Sequence, residues 1–429
     1  MRTFAFHFSK EFASEMDEKD PLRHFKAQFL FPKIDGKDVI YFCGNSLGLQ
    51  PRAVNDFLQT EIRAWAERGV EGHFTGDNPW VDARKRSKPL LATLVGAKTE
   101  EVVAMGSLTA NIHLLLISFY QPSSTRFKII TESDAFPSDR YMLESQVRLN
   151  GFDPAEAIVE VKPRSGEHFV RTEDIVSLIN AHKDELALIM MSGVQYYTGQ
   201  WFDMKRIAHA GIQVGAKVGF DLAHAVGNVP LQLHEWEVDF AAWCSYKYLN
   251  SGPGNVAGIF VHEKHGRQPQ LKRLQGWWGH DEKTRFAMEG PFKAMEGADG
   301  WLLSNDNVLG LAAHQASLEI FQAAGIANLR RKSELLTGYL EFLINSLVKD
   351  QAIEIITPAN PGARGCQLSF LFEDGGREIF DELYQNGIIG DWRNPNVIRL
   401  APVPLYNSFE EVYNFAKLFE RILAKRDKG

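Results

Sequence analysis

Two residues of this chain combine the right types with a placing that suits covalent cofactor chemistry, Asp221 and Lys247. Asp221 ends the apolar run Val218-Gly219-Phe220 and is followed by Leu222-Ala223-His224. Lys247 follows Phe240-Ala241-Ala242-Trp243-Cys244, within Ser245-Tyr246-Lys247-Tyr248. Ligands of open α/β sheets sit beyond the carboxyl ends of the strands, so polar residues there are the first suspects. A carboxylate at 221 could hold a positively charged ring nitrogen by a charge-assisted hydrogen bond. An amine at 247 could form a Schiff base with an aldehyde. Taken singly, Asp221 is better read as the cap of a turn or helix and Lys247 as a solvated surface charge. Taken together they suit pyridoxal phosphate, which needs a Lys for its aldehyde and an acid to keep its pyridine nitrogen protonated.

A phosphate needs backbone donors, and Gly106-Ser107-Leu108-Thr109 places small and hydroxyl residues ahead of the apolar stretch Ala110–Tyr120, at a helix start. Thr109 could equally be a plain N-cap. Phe136-Pro137-Ser138-Asp139 could offer an aromatic plane for a cofactor ring, or form an ordinary turn before a proline. Arg399 interrupts the apolar run Val397-Ile398-Arg399-Leu400. A buried Arg needs an anionic partner, either a substrate carboxylate that matches its planar fork or an internal acid. No Walker loop, HExxH, serine-hydrolase order or GxGxxG after a strand is present.

The elements that must position these residues follow from the hydrophobic pattern. Runs 127–131, 186–191, 218–221, 238–245 and 256–262 read as strands apolar on both faces, alternating with helices over 110–120, 140–149 and 172–182. This predicts an α/β domain with a mostly parallel sheet. Two long helices, 307–324 and 326–348, then lead into strands 353–357, 367–372, 388–390 and 397–400 of a smaller α+β domain. A capping box of Ser408 and Glu411 opens a last helix whose apolar face, Val412, Phe415, Leu418, Phe419, Ile422 and Leu423, should dock on the small sheet.

With 429 residues, 45% apolar and 24% charged, the chain has the composition of a multidomain globular protein. Its 47 basic and 54 acidic residues leave a net charge of −7, which argues against nucleic acid or an anionic membrane as partner. Cys43, Cys244 and Cys366 show no metal-ligand spacing, so no metal is expected, and they suit a reducing compartment. Charges at Lys10 and Glu11 interrupt the start of the chain, and no run approaches about 18 apolar residues. A cytoplasmic, unanchored protein is expected.

Several stretches carry a resemblance to the kynureninases, pyridoxal phosphate enzymes of the aspartate aminotransferase fold. They are Gly44–Leu49, Ala135–Asp139, Gly219–Asn228, Trp243–Asn250 and Arg399–Tyr406, within a likeness running from about Tyr41 to Tyr406. The resemblance implies that Lys247 holds the cofactor and Asp221 pairs with its ring nitrogen, with His224 and Asp139 near the ring and Phe136 stacked on it. Leu108, Thr109, Pro137, Ser138, Ser192 and Tyr246 would complete the cofactor site. Trp277 and Asn305 would come from the second subunit of a homodimer with shared active sites. Arg399 would clamp the substrate α-carboxylate, and Ser46, His73 and Asn305 would line the pocket for its aromatic ring. The implied reaction is hydrolytic Cβ–Cγ cleavage of kynurenine or 3-hydroxykynurenine to an anthranilate and L-alanine, with Lys247, Tyr246 and Asp221 catalytic, in tryptophan breakdown and NAD biosynthesis. The expected divisions are an arm over 1–50, a large domain over 51–325 and a small domain over 326–429. Same-fold alternatives are a class V aminotransferase or a cysteine desulfurase; a non-catalytic cofactor-binding protein is the alternative from another class.

Overall fold

The computed structural model of the chain describes residues 5–268, 270–348 and 353–426. The first four residues of the expected arm and the last three of the expected small domain lie outside them. Seven strands form the central sheet, in the spatial order Val102–Ala104, Gly258–Val261, Phe240–Trp243, Lys217–Asp221, Leu186–Ser192, Lys128–Glu132, Ile158–Val161. Gly258–Val261 alone among them runs against its neighbours, so the sheet is mostly parallel as expected. Alternation along each strand divides its side chains between two cores. Phe240, Ala242, Leu188 and Met190 face the layer containing Ile112, Leu115 and Leu143. Ala241, Trp243, Ile189 and Met191 face the layer containing Ile175, Ile207 and Leu311. Burial on both sides explains why these strands read as continuous apolar runs. The edge strands Val102–Ala104 and Ile158–Val161 escape that reading because three or four residues are too few to show a period.

A second, four-stranded antiparallel sheet orders Ile353–Ile355, Leu368–Phe372, Val397–Leu400 and Asp391–Arg393. The strand expected at 388–390 is not part of it. Ile388–Ile389 pairs in parallel with Ile40–Tyr41, because Ile40 N donates to Gly387 O and Phe42 N to Ile389 O, both at 2.8 Å. Asp391–Arg393, polar and short, takes the edge position instead. The final helix, Phe409–Arg426, has its expected capping box: Ser408 N donates to Glu411 Oε2 at 3.0 Å and Glu411 N to Ser408 Oγ at 3.2 Å. Its six apolar residues pack in the core of this sheet. Helix Lys10–Glu18 braces the same end, where Asp17 accepts from Phe409 N at 2.7 Å and Glu410 N at 2.9 Å.

The amino ends of the two interior strands Lys217–Asp221 and Phe240–Trp243 carry a charged anchor that makes acid stability testable. Asp239 is 2% exposed; it accepts from Val218 N at 2.8 Å and meets His265 Nε2 at 2.6 Å. Burial pushes its carboxyl up, but His265 and the charges of Lys217 and Lys264 outweigh that and hold it at about 2, below its ordinary 3.8. A depressed carboxyl stabilises the fold above its unfolded value and loses that contribution as pH falls through the folded one. Asp239→Asn should therefore cost on the order of 2 kcal/mol at pH 7, shrinking to roughly half by pH 3. Urea unfolding at the two pH values checks this, and equal losses would contradict it.

Candidate active site

A cavity of about 440 Å³ opens beyond the carboxyl ends of the Lys128–Glu132, Leu186–Ser192 and Lys217–Asp221 strands. Three buried acids line it or lie beside it, Glu132, Asp139 and Asp221, at 2%, 8% and 6% exposure. Asp221 ends its strand and accepts from Ala223 N at 2.7 Å, which fixes the direction of its carboxylate. Glu132 ends its own strand and takes the N–H of Ser192 at 3.2 Å and its hydroxyl at 2.5 Å. Burial raises Asp221; burial and the charges of Asp221 and Glu132 push Asp139 well above the ordinary carboxyl range. Among the described residues no Lys, Arg or His makes an ion pair with Asp221 or Asp139. Two buried carboxyls without a cationic partner fit a protonated ring nitrogen between strand end and cavity.

Lys247 reaches the cavity from the loop after Phe240–Trp243, and its Nζ lies 3.1 Å from His224 Nε2 and 5.9 Å from the Phe136 ring centre. Burial and the adjacent Lys247 charge hold His224 well below its usual value, so its ring is neutral at pH 7. Its Nδ1 is buried with no hydrogen-bond partner, so it suits a polar ligand atom. Tyr246 lines the same wall, where burial and Cys244 raise its hydroxyl, so it keeps its proton. The Lys247 loop is clamped from outside by Gly48, whose N donates to Tyr246 O at 2.8 Å. A Cβ at position 48 would lie 2.3 Å from Lys247 O, so only Gly admits this approach.

Opposite the acids, the helix Leu108–Phe119 aims its start into the cavity, with Ser107, Leu108 and Thr109 on the wall and no side-chain cap. Thr109 is thus not the N-cap, and the first N–H groups are left for an anion, as a phosphate requires. Gly106, at φ +50°, turns the chain into that helix. Phe136 and Ser138 line the cavity at the start of helix Pro137–Leu149, where Pro137 takes the first helical position. Ser192 and Ser46 complete the expected residues on its wall.

Four other expected residues stand elsewhere. Arg399 is fully buried behind the wall; its Nε donates to Asp391 Oδ1 at 3.1 Å and its Nη1 to Tyr196 O at 2.5 Å. The internal acid left open by the sequence is therefore Asp391, and the guanidinium that lines the cavity is that of Arg393. His73 packs edge-on against Trp80, with ring centres 5.2 Å apart, and Trp277 contacts Phe286 at 5.5 Å, both away from this cavity. Asn305 is exposed. Sequence reading passed over Glu132, Asn45, Tyr196 and Arg393 on this wall. Glu132 ends an apolar strand as Asp221 does, so the same strand-end rule would have found it. Away from the site, Glu101, His234 and His262 come together in the one such metal-capable group among the described residues. Glu101 there is already engaged by Lys98 N, Glu263 N and His234.

Residues 329–419 match the family model described as the kynureninase C-terminal domain. A kynureninase from Flavobacterium psychrophilum is 53% identical over 418 residues, spanning 97% of this chain and 98% of that protein. In fold, the chain is similar to an apo cysteine desulfurase from Thermococcus onnurineus, with a TM-score of 0.75, 18% identity and coverage of 96% of this chain and 98% of that one. It is also similar to a C-DES mutant with glycine covalently linked to the PLP cofactor, with a TM-score of 0.73, 17% identity and coverage of 89% and 96%. Near-complete alignment at half identity shows that the chain belongs to the kynureninase family.

Proposed function

We propose that this protein is a pyridoxal phosphate enzyme that hydrolyses the Cβ–Cγ bond of L-kynurenine, 3-hydroxy-L-kynurenine or both, releasing an anthranilate and L-alanine. The observation that carries the reading is the placing of Lys247 Nζ, 3.1 Å from a neutral His224, in one cavity with Asp221 and an uncapped helix start. Lys247 would hold the cofactor aldehyde, Asp221 with Asp139 its ring nitrogen, and Leu108, Thr109 and Ser138 its phosphate end, with Phe136, Pro137, Ser192 and His224 around the ring. When bound, the cofactor supplies an electron sink for the bond broken at the substrate Cα.

The chain's own groups do the rest. Lys247, once its amine is free, takes the Cα proton as general base. Water adds to the γ-carbonyl, the Cβ–Cγ bond breaks, and its electron pair stays on Cβ. Tyr246, still protonated at neutral pH, supplies a proton to that carbon, which becomes the alanine methyl group, and Lys247 returns its proton to Cα before alanine leaves. Arg399 acts on the α-carboxylate from behind the wall, where Asp391 holds it, and Ser46, on the wall, borders the aromatic ring from this chain. Trp277 and Asn305 act from a second copy, and His73 lines the pocket around the aromatic ring. The absence of Trp277 and Asn305 from the lining of their own cavity and the exposed cluster of Phe74, Trp277 and Phe286 support a homodimer with shared sites. The arm 1–50, large domain 51–325 and small domain 326–429 enclose each site.

The family's reaction is preferred over desulfuration because Cys43 and Cys366 are pushed up to about 12 by burial and Cys244 is raised too, so none is a reactive thiolate. No helix among the described residues is long and apolar enough to cross a membrane, and a cytoplasmic place in tryptophan breakdown or NAD biosynthesis accords with the chemistry. The test is to supply each kynurenine and L-cysteine to the holoenzyme. Fluorescent anthranilate or 3-hydroxyanthranilate should form in equal amount with alanine. Alanine from cysteine alone would favour the desulfurase reading. Arg399→Lys should weaken turnover at low substrate by about 1.5–3 kcal/mol, because an ammonium cannot replace the fork. Unchanged kcat/KM would remove Arg399 from the carboxylate site.

A further inference from the structure

Two guanidiniums and a single acid meet at the cavity wall. Asp391 Oδ1 lies 2.9 Å from Arg393 Nε and 2.8 Å from Arg399 Nη2, and no other acid makes an ion pair with either Arg among the described residues. One positive charge is thus left without a counter-ion, shared between the buried Arg399 and the half-buried Arg393. Asp391 is fully occupied by the pair, accepting from Arg393 Nη2 at 3.2 Å and from Arg399 Nε at 3.1 Å, while Arg393 Nε and Arg399 Nη2 stay buried without a hydrogen bond of good geometry. The two guanidinium carbons stand 5.9 Å from the Tyr196 ring centre, so they share one aromatic support. Arg393 is the member that lines the cavity, together with Tyr196 and Lys247. An unbalanced, partly desolvated cation beside Lys247 is a demand for an anion on the ligand.

We propose that Arg393 is a second carboxylate-binding residue, so that the α-carboxylate of an amino acid is gripped at the cavity wall by Arg393 and backed by Arg399, with Asp391 holding the two side chains in register. The assignment rests on the amino-acid reading above and adds a residue and a specificity to it: ligands that carry the carboxylate are chosen over the same amine without it. Asp391 is a positioning residue in this scheme, because it acts only through the arginines.

The test is equilibrium binding to the holoenzyme, followed by the change in the visible band of the bound cofactor, with L-alanine and ethylamine as probes. Alanine should bind the parent protein more tightly than ethylamine. Arg393→Gln should weaken alanine on the order of tenfold or more, as loss of a charged hydrogen bond does, and leave ethylamine within about twofold. Arg393→Lys should fall between the two, since it restores charge without the fork. Equal weakening of both probes, or no change in either, at matched cofactor content would overturn the proposal. Should the parent protein itself fail to prefer alanine, the amino-acid reading falls and takes the proposal with it.

Discussion

Lys247→Ala is expected to lower turnover on the order of 10⁴-fold, the upper range for loss of a positioned general base. It should do so without unfolding the protein. Lys247 Nζ makes no ion pair among the described residues, and its hydrogen-bonding neighbour is His224 Nε2 at 3.1 Å. Its charge favours ionised Asp221 and Asp139 without contacting either, and burial already raises both acids, so its removal breaks no direct ion pair, the usual cause of a large stability loss. The melting temperature should stay within a few degrees while single-turnover formation of anthranilate vanishes. The variant should regain part of its rate with a small added amine, which can enter the space left behind. A stable variant that keeps more than a few per cent of its rate would remove Lys247 from the chemistry.

The second large effect is expected at Asp221. Its carboxylate is held by Ala223 N at 2.7 Å and packed against Asp139 in a buried setting, where no cation of the chain pairs with it. Such a preorganised charge, aimed at a site that must stay positive, is worth more than the same charge in water. Asp221→Ala should cost on the order of a hundredfold or more in kcat. Cofactor should remain bound through Lys247 and the helix start at Leu108, so cofactor content separates this loss from simple failure to load. The Asp221 charge is also one cause of the raised Asp139, so its removal should move Asp139 back towards the ordinary carboxyl range. Full turnover with normal cofactor content would refute the role of ring acid.

Much of this site was legible in the chain because its parts are strand ends. Val218–Phe220 and Phe240–Cys244 are apolar on both faces, so the polar residues that follow them, Asp221 and the turn Ser245–Lys247, had to emerge beyond the carboxyl ends of the strands. The capping box at Ser408 was equally local and held to the residue. What escaped depended on contacts far apart in sequence. Nothing in Ile388–Ile389 announces Ile40–Tyr41 as its partner, and nothing in Asp391–Arg393 announces a strand. Arg399 showed its need for an anion, but only the folded chain reveals that Asp391 answers part of it and that Arg393 stands nearer the cavity. Glu132 was missed for another reason: its strand-end position was visible, yet its role appears only through Ser192, sixty residues on.

The most direct measurement is to reconstitute the protein with pyridoxal phosphate, reduce it with borohydride, digest it and locate the added mass. The account predicts loss of the visible band and one stable pyridoxyl label, on the ε-amine of Lys247. A label on another lysine, or unlabelled protein after saturation with the cofactor, would contradict it.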